Sequence, residues 1–595
     1  MNIDILVLGG YFLLMVFISL AFKKMASKSA SDYFRGGGRM LWWMVGSTAF
    51  MTQFSAWTFT GAAGMAYNNG FAVVGVFLGN IVAYILSYWW FSHRFRQMRV
   101  DTPTEAVNRR FGKGSEQFFT WTLIPLSVLN AGVWLNGLAI FAGAVFGYDM
   151  TTTIWVTGLA VLAISMLSGA WGVVASDFVQ TLVVAVLSVA CAIVALVKVG
   201  GPSEIVTKFP SDFFMGPNMN FGILLVGSFL FFIVKQMQSI NNMQDSYRFL
   251  NAKDSNNARK AALLAMILMI FGTIIWFIPP WASAIMYPDA AASHAELGNK
   301  ASDAVYLVFA ERAMPLGTIG LLVAGLFAAT MSSMDSALCR NAGIFVRSFW
   351  APVVCRNKPM SETKTLRVSQ LVTLVNGILV ILIAQLFAQL KGLSLFELMM
   401  RVATLLQSPM LVPLFFGMFI RKTPKWAPWV TVCFGMLVSW LIMNVFTAAW
   451  FASLFDVTLT KRELSELTTT ITVAAHLFLT GGFFIATSLF YKEEKFTEEE
   501  KAKTEQFFQD IETPVVADSE QDEFDRLQRN KLGHITLIMG AGLMLMVLLP
   551  NELWGRLLFA GCSIAVLTVG YLLKRSARLA DERREAEGRL ATQAS

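Results

Sequence analysis

Ala329, Ser332, Ser333 and Ser336 recur at i, i+3, i+4 and i+7 inside the apolar run Gly317 to Leu338. At 3.6 residues per turn these small residues share one face of a helix at membrane depth. Hydroxyls and carbonyls on such a face can supply oxygen ligands to a small hard cation. Close helix packing through small residues produces the same stripe, so the run alone leaves both readings open. Asp335 lies within the run, and Asp177 is a second carboxylate in an apolar stretch. A carboxylate at membrane depth is a functional candidate by default. Asp177 also suits a helix N-cap, and Asp335 could pair with Arg340.

Other chemistry is poorly supported. The cysteines (Cys191, Cys339, Cys355, Cys433, Cys562) are scattered without paired spacing, and the histidines (His93, His294, His476, His534) lie far apart. That pattern implies neither a disulfide framework nor a zinc site. The stretch from Gly46 to Gly64 carries Ser47, Thr48, Thr52, Gln53, Ser55 and Gly61 among apolar residues. Such a composition suits a broken helix whose freed carbonyls are satisfied by protein, water or an ion, and equally a closely packed one. Further on, Lys235, Gln236, Gln238, Ser239, Asn241, Asn242 and Gln244 follow an apolar run. Arg401 stands four residues after Glu397, a spacing at which the two could pair. Lys235 could instead snorkel toward the cytoplasm.

The elements holding these residues are membrane helices. The chain has 595 residues, of which 55% are hydrophobic and 14% charged, with mean hydropathy +0.57. A soluble chain averages about 25% charged residues. At roughly 20 apolar residues per span, about fifteen spans are expected. They lie near 5–22, 41–66, 70–92, 117–146, 152–169, 177–199, 220–246, 260–286, 315–338, 366–389, 394–420, 427–450, 467–491, 534–550 and 553–573. The first apolar run, Ile5 to Phe22, lacks a small-residue cleavage site and reads as a retained helix. Lys and Arg crowd alternate loops: Lys23 to Arg39, Arg94 to Lys113, Arg248 to Lys260, Arg340 to Lys358 and Arg421 to Lys425. These loops are assigned to the cytoplasm, with the N-terminus outside and the C-terminus inside. The net charge of +8 follows from this asymmetry and does not indicate nucleic-acid binding. Lys492 to Lys531 is polar and charge-mixed, and reads as a solvated connector or short surface helix.

Ser31 to Met40 (SDYFRGGGRM) resembles the DYFLGGR signature of the sodium:solute symporter family. Thr102–Gly112 (TPTEAVNRRFG), Gly169–Gln180 (GAWGVVASDFVQ) and Ala328–Leu338 (AATMSSMDSAL) are similar to three further motifs of that family, in the same order. The resemblance spans the first thirteen expected helices, and says nothing about the last two. It implies an all-α integral membrane protein with a LeuT-type 5+5 inverted repeat and extra flanking helices. The expected divisions are 1–40 for the first helix and loop, 41–200 and 220–420 for the two repeats, and 427–491 for two added helices. A charged linker (492–533), two C-terminal helices (534–573) and a tail (574–595) complete the chain.

Carried over residue by residue, the resemblance places a sodium ion on the carbonyls of Met51, Phe54 and Ala329 and the hydroxyls of Ser332 and Ser333. A second sodium would use Asp177 with Ser332, Asp335 and Ser336. Substrate contacts fall on Gln53, Lys235, Gln238 and Arg401. If Lys235 and Arg401 face one cavity, an anionic solute supplies the counter-charge they need. The expected function is sodium-coupled import of a small polar solute, an acidic sugar or organic acid, by alternating access across a bacterial inner membrane. A neutral sugar or polyol is the alternative. A membrane enzyme or respiratory proton-pump subunit would need clustered intramembrane His or Glu, which are nearly absent, so no enzymatic activity is expected. The expected partners are a small-molecule solute and the lipid bilayer, with no nucleic acid and no obligate protein partner.

Overall fold

A computed structural model describes residues 2–594 apart from 27–34, 55, 294–300, 357, 359, 391–394 and 518–521. The Ser31–Phe34 part of the first motif and Ser55 therefore lie outside the described residues. Among the described residues the regular elements are helical, with one isolated bridge between Met40 and Ala252. Among the described residues thirteen helices are long and apolar enough to cross a membrane. The apolar helix Met150–Met166 is shorter, and Trp42–Gln53 stops at 12 residues. These two occupy the remaining stretches where spans were expected.

The elements that position the site are α1 (Asn2–Ala26), α2 (Trp42–Gln53), α3 (Gly61–Asn69), α4 (Val74–Leu86), α5 (Pro103–Phe111), α6 (Lys113–Phe146), α7 (Met150–Val199) and α8 (Gly222–Ile240). They are followed by α9 (Ser255–Ile275), α10 (Thr318–Ile344), α11 (Glu362–Gln389) and α12 (Leu395–Arg401, continued through a widened turn into Ser408–Phe416). The last are α13 (Ala427–Asn444), α14 (Lys461–Ala475), α15 (Glu498–Glu512), α16 (Asp522–Leu545) and α17 (Leu553–Ala594). Several begin at capping side chains. Asp149 accepts from Thr152 N at 2.9 Å, Asp254 from Asn257 N at 2.7 Å and Thr102 from Glu105 N at 3.4 Å, which satisfies otherwise orphaned amides.

Two groups of helices result. In one, α2 packs on α9 and α4 on α8; in the other, α6 packs on α11 and α7 on α10. Pairing the second expected span with the eighth and the third with the seventh is what a two-fold relation between the halves produces. α10 is enclosed on nearly every side, whereas α17 turns mostly outward. Gly46 allows α2 to approach α9, since a Cβ there would stand 2.9 Å from the Ala261 carbonyl oxygen.

Gly169 has φ 55 and ψ −176 inside α7, a conformation open to glycine and not to other residues. The kink starts a new helical run, so Asp177 lies about two turns inside it and is not an N-cap. Gly169→Ala is expected to destabilise the fold by about 1–3 kcal/mol. Thermal unfolding in detergent checks this, and an unchanged midpoint would contradict the strained turn.

A broken helix facing buried hydroxyls

The helical hydrogen-bond ladder of α2 ends at Gln53. Phe54 is extended (φ −113, ψ 120), and its amide donates back to the Met51 carbonyl at 3.2 Å. Helical structure resumes at Ala56, and Thr60, just before α3, is again non-helical. The last carbonyls of a helix have no intrahelical partners. Just before that last turn, Tyr84 Oη donates to the Ala49 carbonyl at 2.6 Å, and Thr52 Oγ1 to that of Thr48 at 2.6 Å. Met51 and Phe54 stand at the break itself, fully buried.

α10 packs against α2. Ala329, Ser332 and Ser333 are fully buried, and neither serine hydroxyl has a hydrogen-bond partner. An unpaired buried hydroxyl is costly, by about 1–3 kcal/mol. Close packing alone would be served by alanine, so the orphaned oxygens favour the ligand reading of the stripe. Backbone carbonyls and neutral hydroxyls suit a monovalent hard cation. Among the described residues no three His, Cys, Asp or Glu side chains converge as a metal site.

The two carboxylates have different partners. Thr48 Oγ1 donates to Asp177 Oδ2, while Asp177 Oδ1 has no partner and Ser332 lies beside the group. Asp335 accepts from Ser165 of α7, and Arg340 donates to Ser127 Oγ at 3.2 Å. The Asp335–Arg340 pair is therefore not formed. Ser332 sits beside Asp177, whereas Ser336 turns with Ser333 toward a central cavity of about 130 Å³. The possible second-ion residues are thus split between the helix interface and the cavity wall.

Gln53, Trp57, Asn80, Lys235, Arg248 and Arg340 line this cavity, together with Asp245. Lys235 Nζ donates to Gln236 Oε1 at 3.0 Å and lies 5.3 Å from the Phe232 ring centroid. Only 5% of Lys235 is exposed, so it does not snorkel. Arg248 pairs with Asp245 at 3.2 Å, leaving its Nη1 buried and unpartnered. The lining thus holds three cations, Lys235, Arg248 and Arg340, against the single carboxylate of Asp245.

Two expected substrate residues are placed elsewhere. Gln238 is buried but does not line the cavity; one residue apart on a helix is about 100° of rotation, so Gln236 and Ser239 face it instead. Arg401 is exposed and lines a separate cavity of about 410 Å³ with Glu397, Lys461 and Glu466. Val76, Phe232 and Met400 line both cavities and form the apolar wall between them. Lys235 and Arg401 thus do not share a cavity. Arg340 is a cavity residue outside the expected set; it extends the Ser333, Ser336 face of α10 by one more turn, which is the signal in the sequence that points to it.

The sodium:solute symporter family profile matches residues 33–428. The chain is 26% identical over 437 residues to the sodium/sialic acid symporter SiaT of Proteus mirabilis, covering 71% of this chain and 85% of that protein. It is 25% identical to the sodium/myo-inositol cotransporter 2 of Sus scrofa, covering 73% and 69%. A solved substrate-bound, outward-open Na⁺-coupled sialic acid symporter superposes with a TM-score of 0.63 at 22% identity, over 80% of this chain and 97% of that one. That likeness shows the shared fold.

Ser332→Ala and Ser333→Ala are each expected to raise the sodium concentration for half-maximal uptake about tenfold, or about 1.4 kcal/mol per lost ligand. Both should keep the parent's melting temperature, since alanine suits a packed helix. Sodium titrations of uptake in vesicles check this, and unchanged sodium dependence in both would remove the α10 hydroxyls from the ion site.

Proposed function

The chain belongs to the sodium:solute symporter family, and from that premise we propose that it imports a small carboxylate-bearing solute, an acidic sugar or organic acid. Sodium-coupled symport across a membrane follows from the family; the solute class and the residues below are the proposal. The observation that carries it is the excess of positive charge in the central cavity. Uncompensated cations in a low-dielectric wall repel one another, and an anion relieves that repulsion. The relatives include sodium/sialic acid symporters and sodium/myo-inositol cotransporters alike, so the choice of an anion rests on the cavity's charge.

Sodium held by Met51, Phe54, Ala329, Ser332 and Ser333 would join the end of α2 to α10. Thr52, Gln53 and Ser333 also line the solute cavity, so ion and solute would order the same backbone. Each ligand then favours binding of the other, as linkage requires. Asp177, with Ser332 beside it and one oxygen unpartnered, is the anchor for a second sodium. One sodium with one monoanion moves no net charge, whereas a second sodium would draw about 2.3 kcal/mol from each 100 mV of membrane potential. The protein acts in this reading as a transporter alone, without enzymatic activity or an obligate protein partner, in a bacterial inner membrane.

Two substitutions separate this assignment from one based on Arg401. Lys235→Gln should reduce sodium-driven uptake of acidic sugars at least tenfold and shift preference toward neutral sugars, while leaving the sodium-dependent melting temperature intact. Arg401→Gln should change uptake less than about threefold. Competition by uronates, keto-acids and neutral sugars reads the preference. Equal competition by neutral sugars in the parent would overturn the anion assignment and leave the neutral sugar or polyol alternative.

For stoichiometry, the sodium Hill coefficient should exceed one in the parent and approach one in Asp177→Asn. A parent coefficient of one would argue for a single ion.

A further inference from the structure

Beyond residue 428 the family match ends, yet α15 folds back against the helix ends nearest Arg99, Arg109 and Arg421. Of the two readings of the charged segment, the short surface helix is the one formed over Glu498–Glu512. Thr497 caps α15 in a reciprocal box with Glu500, and Phe507, Phe508 and Ile511 are buried against α5 and its neighbours. The guanidinium groups of Arg110 and Arg421 lie 5.0 and 4.8 Å from the Phe508 ring centroid.

Around this apolar anchor the charges are one-sided. Asp510 pairs with Arg99 at 3.2 Å and Arg109 at 3.5 Å, Glu512 with Arg421 at 3.2 Å, and Glu500 with Lys425 at 2.5 Å. In these pairs the acid belongs to the α15 segment and the base to the transporter core. Past α15, the Ser255 amide donates to the Val515 carbonyl at 3.1 Å and Val515 N donates to Ser255 Oγ at 2.9 Å. One short segment thus grips the start of α9, Arg99 in the stretch between α4 and α5, α5 itself, and the link between α12 and α13.

Those attachment points lie in parts that alternating access must separate. α9 packs with α2, and α4 with α8, while α5 leads into α6 of the other group. Transport by this fold moves one group of helices against the other. A bridge fixed to both groups on one face resists opening on that face, and the crowded Lys and Arg residues assign the face to the cytoplasm.

We infer that the Thr497–Val515 segment is a salt-sensitive strap that holds the cytoplasmic side closed and restrains inward opening. The inference needs the motion of the helix groups and not the identity of the solute. Partly exposed ion pairs weaken when salt shortens the screening length, and the buried Phe507–Phe508 anchor does not. Rising ionic strength in the cytoplasm would therefore loosen the strap.

Hydrogen–deuterium exchange on the full-length protein in detergent tests this at fixed sodium, with choline chloride raised from about 0.1 to about 1 M, which cuts the screening length from about 10 to about 3 Å. Exchange in α15 should rise several-fold, together with exchange in the first turns of α2 and α9. Glu500→Gln combined with Asp510→Asn should show the fast exchange already at low salt, with the parent's melting temperature. If the double variant does not fold, the parent's salt series decides. Faster exchange in α15 with α2 and α9 unchanged would reduce the segment to a docked helix without hold on the gate. No salt response in the parent would overturn the strap.

Discussion

A helix interrupted at membrane depth is the constraint on which the rest of this structure depends. Hydrocarbon offers no hydrogen bonds, so a broken span is tolerated only where protein, water or an ion receives the freed backbone groups. α2 breaks after Gln53, and the molecule is arranged around that break. Tyr84 and Thr52 take carbonyls on its approach, α10 brings hydroxyls that have no partners of their own, and α7 brings a carboxylate held by Thr48. An interior with unpaired oxygens on one wall and a helix terminus on the other is unfavourable empty and favourable around a small cation. The proposed coupling rests on the same geometry, because Thr52 and Gln53 beside the break also line the central cavity.

Charge gives the second layer of the account. The central cavity gathers Lys235, Arg248 and Arg340 near a single acid, and the apolar wall of Val76, Phe232 and Met400 divides it from the cavity that contains Arg401. In the proposed function these cations select for an anionic solute; on the proposed cytoplasmic side, cations at the helix ends receive the acids of α15. In both places a basic surface of the core meets something negative, the proposed solute in one case and the chain's own segment in the other.

Much of this was legible in the sequence, for physical reasons. Apolar runs mark membrane helices because the bilayer sets their length, and the glycine and hydroxyl content of the second span suited a break as well as close packing, of which the break is what forms. The Ser332, Ser333, Ser336 stripe was legible because helical period alone places it. What was not legible depends on rotation and tertiary approach. Gln236 and Gln238 differ by about 200° around a helix, and nothing local told which one meets the cavity. Arg401 matched a family position, but the wall that isolates it comes from three separate helices. Asp177 looked like a cap because the kink at Gly169 could not be dated from sequence to the preceding turns. The docking of α15 rests on Phe507, Phe508 and Ile511, an apolar stripe too short to stand out from a charge-rich stretch.

In the proposed site, sodium joins the broken end of α2 to α10. Hydrogen–deuterium exchange on the full-length protein in sodium against potassium, at matched ionic strength, tests it most directly without any knowledge of the solute. Sodium is expected to slow exchange both around the break, at residues 48–60, and along α10, at residues 328–338, and Ser333→Ala to weaken both effects together. Equal exchange in the two salts, or protection of one helix without the other, would contradict it.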